Sequence, residues 1–177
     1  MENLSTIVSM ICSIMGVLIA LIGTILCLFQ WKESCAIKRC EYNDKILDDF
    51  RKNKELTDTR YKIEYNDNWY NIEFHGNNSE IEKEYDNYFL YVNYICFLYN
   101  TKRIKKKEFA AFEYLITRVC TNEDAQAYFW NLYHFAKRNH TTCSFNDIIN
   151  YCYKNKIIKK SFFKNSQNEY EKKYLNF

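Results

Sequence analysis

Residues 4–31 read LSTIVSMICSIMGVLIALIGTILCLFQW, and no charged residue falls between Glu2 and Lys32. A helix through this span is about 42 Å long, against the roughly 30 Å of a bilayer's hydrocarbon core. Fourteen of its residues are Leu, Ile, Val or Phe, and each of these favours insertion by about 0.3–0.6 kcal/mol near the helix centre. The stretch predicts a transmembrane helix at 4–31. A cleaved signal peptide needs a basic n-region, a shorter apolar core and a small-x-small cleavage site. Here no Lys or Arg precedes the run, and it ends on the bulky LCLFQWK. A lipobox fails similarly, because Ile11 precedes Cys12 and Leu26 precedes Cys27. The segment is expected to stay on the mature chain.

Orientation follows from the Lys/Arg bias close to the membrane. Lys32, Lys38, Arg39, Lys45, Arg51 and Lys52 all lie on the C-terminal side and none on the other, so the N-terminus is expected outside and the body in the cytoplasm, at the cell membrane. Phe29 and Trp31 suit the aromatic belt. One face of the helix gathers Ser9, Ser13, Gly16, Ala20, Gly23 and Cys27 at alternating spacings of 4 and 3. Small residues in that register let two backbones approach, which is what holds helices together in lipid. They form a candidate self-association seam, although Gly, Ala and Ser are also simply common in membrane helices.

Residues 32–54 read as a helical stalk with a narrow apolar stripe and neighbouring charges such as Asp48 and Lys52. Residues 55–177 then have the length of a single domain. The chain has no Pro and only three Gly, of which Gly76 alone lies beyond the apolar run, so no flexible linker divides this part. Aromatics make up 18% of the chain and accompany abundant Lys, Asn and Ile. That mixture reads first as the product of A/T-rich codons rather than as a ligand pocket. The net charge of +3 lacks the basic excess of a dedicated nucleic-acid binder. The eight Cys have no framework spacing and are expected to be reduced thiols.

Between Arg60 and His75 the apolar period shortens from about 3.6 to 2: Tyr61, Ile63 and Tyr65, then Tyr70, Ile72 and Phe74, flank Asn66-Asp67-Asn68. This predicts a small β-hairpin at 60–75. Helical periods resume after Ser79-x-x-Glu82, a capping-box pattern. The first series runs Ile81, Tyr85, Tyr88, Phe89, Val92, Ile95, Cys96 and Tyr99, and a basic break covers 100–107. Phe109, Phe112, Leu115, Ile116 and Val119 mark a second helix. Thr121 or Asn122 caps a third, with Ala125, Tyr128, Phe129, Leu132, Phe135 and Ala136 inward. Ser144 with Asp147 opens a fourth through Phe145, Ile148, Ile149 and Cys152, and a short helix is expected after Ser166. The class predicted is all-α: one membrane helix followed by a cytosolic helical bundle.

No residue set compels chemistry. Cys35-x4-Cys40 and the loose group His134, His140 and Cys143 lack metal-ligand spacing. Three Gly cannot supply a P-loop or a nucleophile elbow. Arg138-Asn139-His140-Thr141-Thr142-Cys143 resembles the R-N-x-x-x-H of HEPN-type ribonucleases but ends in Cys, which is a poor substitute for an acid/base imidazole. Glu123 and Asp124 fit the first turn of a helix. Lys102, Arg103, Lys105, Lys106 and Lys107 precede a helix start, where positive charge is disfavoured. They are candidates for contact with anionic lipid or nucleic acid, the alternative being a solvated loop tip.

The runs Asp86-Asn87-Tyr88-Phe89 through Val92-Asn93-Tyr94-Ile95, Glu108-Phe109 to Phe112-Glu113-Tyr114, and Tyr128-Phe129 to Leu132-Tyr133-His134-Phe135 carry a resemblance to another group of proteins. The chain resembles uncharacterised bacterial proteins with one N-terminal transmembrane helix and a helical cytosolic domain, some of them associated with phage defence. The resemblance implies no catalytic residues and no cofactor. The expectation is therefore a non-enzymatic, single-pass membrane protein that binds a protein partner or itself. The competing readings are a membrane-tethered RNase or nucleic-acid binder, against which the modest charge argues, and a membrane-perturbing toxin acting through its uncharged helix.

Overall fold

Asn53 ends the longest helix of the chain and starts the next one. The structure, a computed structural model, describes residues 2–70, 80–159 and 161–164, without the side chains of residues 2 and 3. Among these are α1 (Glu2–Lys52), α2 (Lys54–Glu64), α3 (Glu80–Asn100), α4 (Lys106–Thr121), α5 (Glu123–Arg138), α6 (Asn146–Lys154) and a 3-10 turn at Phe162–Lys164. No strand occurs among the described residues. The protein is all-α, and its chain forms two compact units, Met1–Ile46 and Leu47–Phe177.

The first unit is helical over all of its described residues. α1 does not break at Trp31, because no Gly or Pro interrupts it between Gly23 and Lys52. Its apolar side chains are exposed from Leu4 through Trp31. Hydroxyls within that span bond back to the helix itself: Ser13 Oγ donates to the Ser9 carbonyl at 2.9 Å and Thr24 Oγ1 to that of Ala20 at 2.8 Å. Neither needs water, as residence in hydrocarbon requires.

The second unit begins within the stretch read as the stalk. Here the last turn of α1 contributes Phe50, whose ring stacks on Tyr91 at 5.0 Å. α2 corrects the expected hairpin at 60–75 over its first half. Asn53 caps it, accepting from the Leu56 N–H at 3.2 Å, and its buried residues Leu56, Thr59 and Ile63 recur at 3 and 4. The period-2 pattern misled because Tyr61 and Tyr65 are exposed and stack on each other at 6.1 Å along the helix surface. Only Ile63 of that trio points inward. Most of the second run, and Ser79 with it, lies outside the described residues.

α3 is the hub, packing on α2, α4 and α6. It buries Tyr85, Tyr88, Phe89, Val92, Ile95, Cys96 and Leu98, the inward face that its 3.6-residue period predicts. Ile81, included in that series, is exposed. The core is aromatic. Trp69 stacks on Tyr85 at 4.1 Å, Tyr70 meets Tyr128 edge-on at 5.3 Å, and Phe89 meets Phe129 edge-on at 5.0 Å. Two of the polar tips find partners: Tyr128 donates to Asp86 at 2.5 Å, and Asn131, itself buried, donates to the Tyr70 hydroxyl at 2.7 Å. Asn122 alone joins α4 to α5 and caps the latter through the Ala125 N–H at 2.9 Å. α6 has no local side-chain cap. Asn93 of α3 supplies one instead, its Oδ1 accepting from the N–H groups of Asp147 and Ile148 at 3.0 and 3.1 Å.

Four helices end in the same way and none uses glycine. Asn66, Lys102, His140 and Lys156 take positive φ of 55°, 60°, 53° and 58° just past α2, α3, α5 and α6. At each, paired backbone bonds close the last turn, as when Lys102 N donates to the Tyr99 carbonyl and Arg103 N to that of Leu98. This is the Schellman arrangement, in which glycine is usual because a Cβ costs about 1 kcal/mol in that conformation.

Candidate functional site

Each residue set singled out from sequence now has a place. The self-association seam of Ser9, Ser13, Gly16, Ala20, Gly23 and Cys27 lies along α1, all six exposed. A Cβ added at Gly16 or Gly23 would meet nothing within 4 Å, so that face is open to a neighbour. α1 is long and apolar enough to cross a membrane, with a mean hydropathy of 2.7 over its best window and none of that window buried. A signal sequence near an N-terminus passes the same test.

The basic residues occupy the corner between α3 and α4. Lys102, Arg103, Lys105, Lys106 and Lys107 are exposed, and none forms an ion pair among the described residues. The corner is rigidly built. Ile104, in the middle of the basic run, is only 3% exposed and pins it to the core. Lys102 stops α3, and Glu108 accepts from the Lys105 N–H at 2.8 Å to close the start of α4. α4 begins at Lys106, so two of the cations sit in its first turn, at the positive end of its dipole.

Arg138, His140 and Cys143 do not assemble as an acid/base set. Arg138 is the last residue of α5, and exposed His140 is the left-handed residue that stops it. Cys143 is buried, and burial pushes its thiol up, so it stays protonated. The residues that resembled a ribonuclease motif thus have a structural account.

The eight cysteines are free. Cys96, Cys120 and Cys152 come from α3, α4 and α6 and are wholly buried. The hydrogen bond between the Cys120 thiol and Cys152, together with burial, holds the Cys120 thiol well above its ordinary value. Among the described residues no group of three or more His, Cys, Asp or Glu is arranged to hold a metal. Two hollows of the second unit carry little chemistry. One of about 450 Å³ is lined by Asn66, Asn68 and the residues 121–124 where α4 meets α5, with Asn122 already committed to capping. Another of about 160 Å³ lies between Phe50, Arg60, Tyr91 and Leu115.

One surface escaped the sequence reading. Leu90, Tyr94 and Phe97 are 49%, 44% and 36% exposed, and their spacings of 4 and 3 set them on one outward stripe of α3. The rings of Tyr94 and Phe97 stack at 6.3 Å. The signal was available, since 90, 94 and 97 share a face opposite the series read as core, but apolar residues on both sides of a helix read simply as core. Comparison of the chain with protein-family models, curated proteins and solved structures finds no match.

Proposed function

We propose that this is a membrane-anchored, non-enzymatic interaction module. In this reading the apolar part of α1 spans the cell membrane with its N-terminus outside, and the helical domain lies in the cytoplasm. The observation that carries the reading is the exposure of every large apolar side chain from Leu4 to Trp31. A contiguous apolar helix of that length is not stable in water and requires lipid or protein around it. The free thiols agree with a reducing compartment. The bundle then binds a protein partner or a second copy, with the small-residue seam as the contact between membrane helices. Resemblance alone links the chain to phage defence.

Fractionation with protease protection tests the anchor: the chain should stay with membranes after carbonate washing, and protease outside intact cells should spare the domain. A freely soluble chain, or a domain digested from outside, overturns it. For the seam, oxidative crosslinking through Cys27 in a Cys12→Ser, Cys35→Ser, Cys40→Ser background should give a dimer that Gly16→Ile with Gly23→Ile removes. The basic corner keeps a second reading in view, a tethered RNase or nucleic-acid binder. His140→Asn keeps a residue that tolerates positive φ and removes the imidazole. Cleavage of RNA by the parent and not by this variant would favour the nuclease.

A further inference from the structure

We propose that the Leu90, Tyr94 and Phe97 stripe of α3 and the basic corner that follows it form one contact surface for an anionic bilayer; the proposal rests on the membrane-anchored reading above. The two features are continuous. The Phe97 carbonyl accepts from both the N–H and the hydroxyl of Thr101, at 2.9 and 2.7 Å, so the stripe runs straight into the turn that carries the cations. Apolar and aromatic side chains beside Lys and Arg are the composition of interfacial segments. The apolar groups enter the headgroup boundary while the long cationic side chains reach lipid phosphates. Cations at the start of α4 oppose its dipole and lack partners among the described residues, a cost that phosphate would offset.

Two other occupants fit less well. A second copy meeting this face with the two-fold axis near the corner would bring each cationic corner against its equal. RNA would leave Leu90 without a role, and the chain's net charge is only +3. A bilayer is within tethered reach of every anchored copy, so even weak contacts are populated.

The test uses the full chain reconstituted into phosphatidylcholine vesicles with and without phosphatidylglycerol, footprinted by brief lysine acetylation and mass spectrometry. Lys54 and Lys137, exposed elsewhere on the domain, serve as internal references. The expected result is acetylation of Lys102, Lys105, Lys106 and Lys107 slowed about fivefold by phosphatidylglycerol, reversed by salt, and weakened in Leu90→Ser with Phe97→Ser. Equal rates in both vesicles, with the chain properly incorporated, overturn the proposal. So does protection that follows protein density rather than lipid charge, which marks a second copy, or protection given only by added RNA. Should the chain fail to float with either vesicle, the anchor reading falls; the surface itself then stands only if phosphatidylglycerol vesicles alone capture the soluble chain and protect the corner.

Discussion

Ile19, in the middle of the apolar span of α1, is 65% exposed, whereas Ile95, in the second half of α3, is 0% exposed. Both are isoleucines in long regular helices, and local sequence treats them alike. What differs is the company. α3 alternates its apolar face with Asp86, Asn87, Asn93 and Asn100, each bonded to another element, while α1 is apolar all round through residues 4–31. A helix with one apolar stripe selects protein neighbours, and a helix without a polar face selects a different solvent.

Alkali should separate the two regions most sharply. Tyr88 and Tyr128 are fully buried in the second unit, and burial first, with carboxylates such as Glu64 and Asp86 next, pushes both hydroxyls well above the ordinary tyrosine value. A raised folded value means full stability below about pH 10 and progressive loss above it, on the order of a few kcal/mol per such tyrosine by about pH 12. Circular dichroism of the chain in lipid should therefore show α2–α6 melting in alkali while residues 4–31 of α1, which contain no tyrosine, stay helical. Joint melting of both would break the distinction. Phe89→Ala comes next: removing the ring that meets Tyr128, Phe129 and Phe145 should cost about 3–5 kcal/mol in chemical denaturation, with membrane attachment unchanged. The mirror experiment is Ile19→Arg, whose penalty of roughly 2.5–3.5 kcal/mol should fall on membrane partition and spare the domain.

Two smaller effects sharpen the account of the domain. Asn93→Ala removes the cap of α6 from a neighbouring helix and should lower stability by about 1–2 kcal/mol, which a urea titration would register. Lys156→Gly should raise it by up to about 1 kcal/mol, because the left-handed residue after α6 would lose its Cβ strain. A neutral or harmful result would show that the Lys156 side chain matters more than its backbone.

These cases also mark what was legible in the chain. The inward faces of α3, α4 and α6 follow their period, and the cap of α5 was legible as Thr121 or Asn122, of which Asn122 holds it, because a capping acceptor acts within one turn. The hairpin misreading came from Tyr61 and Tyr65, whose alternation with charges imitates a strand although both lie on the wet side of α2. Trp130 and Asn131 were missed because they face the Phe162 carbonyl and the Tyr70 hydroxyl, contacts from distant segments. The basic corner was visible as composition, but its rigidity depends on buried Ile104, and its continuity with Leu90, Tyr94 and Phe97 appears only once the exposed side of α3 is known.

Asn93 has one more implication, for the order in which the domain assembles. With nine residues, α6 is shorter than the roughly 12–15 at which a lone helix begins to persist. Its first amides are held by a side chain about fifty positions upstream. It is therefore expected to condense late, on an α3 already in place, and to dissolve when that surface lets go; hydrogen exchange of the Asp147 and Ile148 amides would check this.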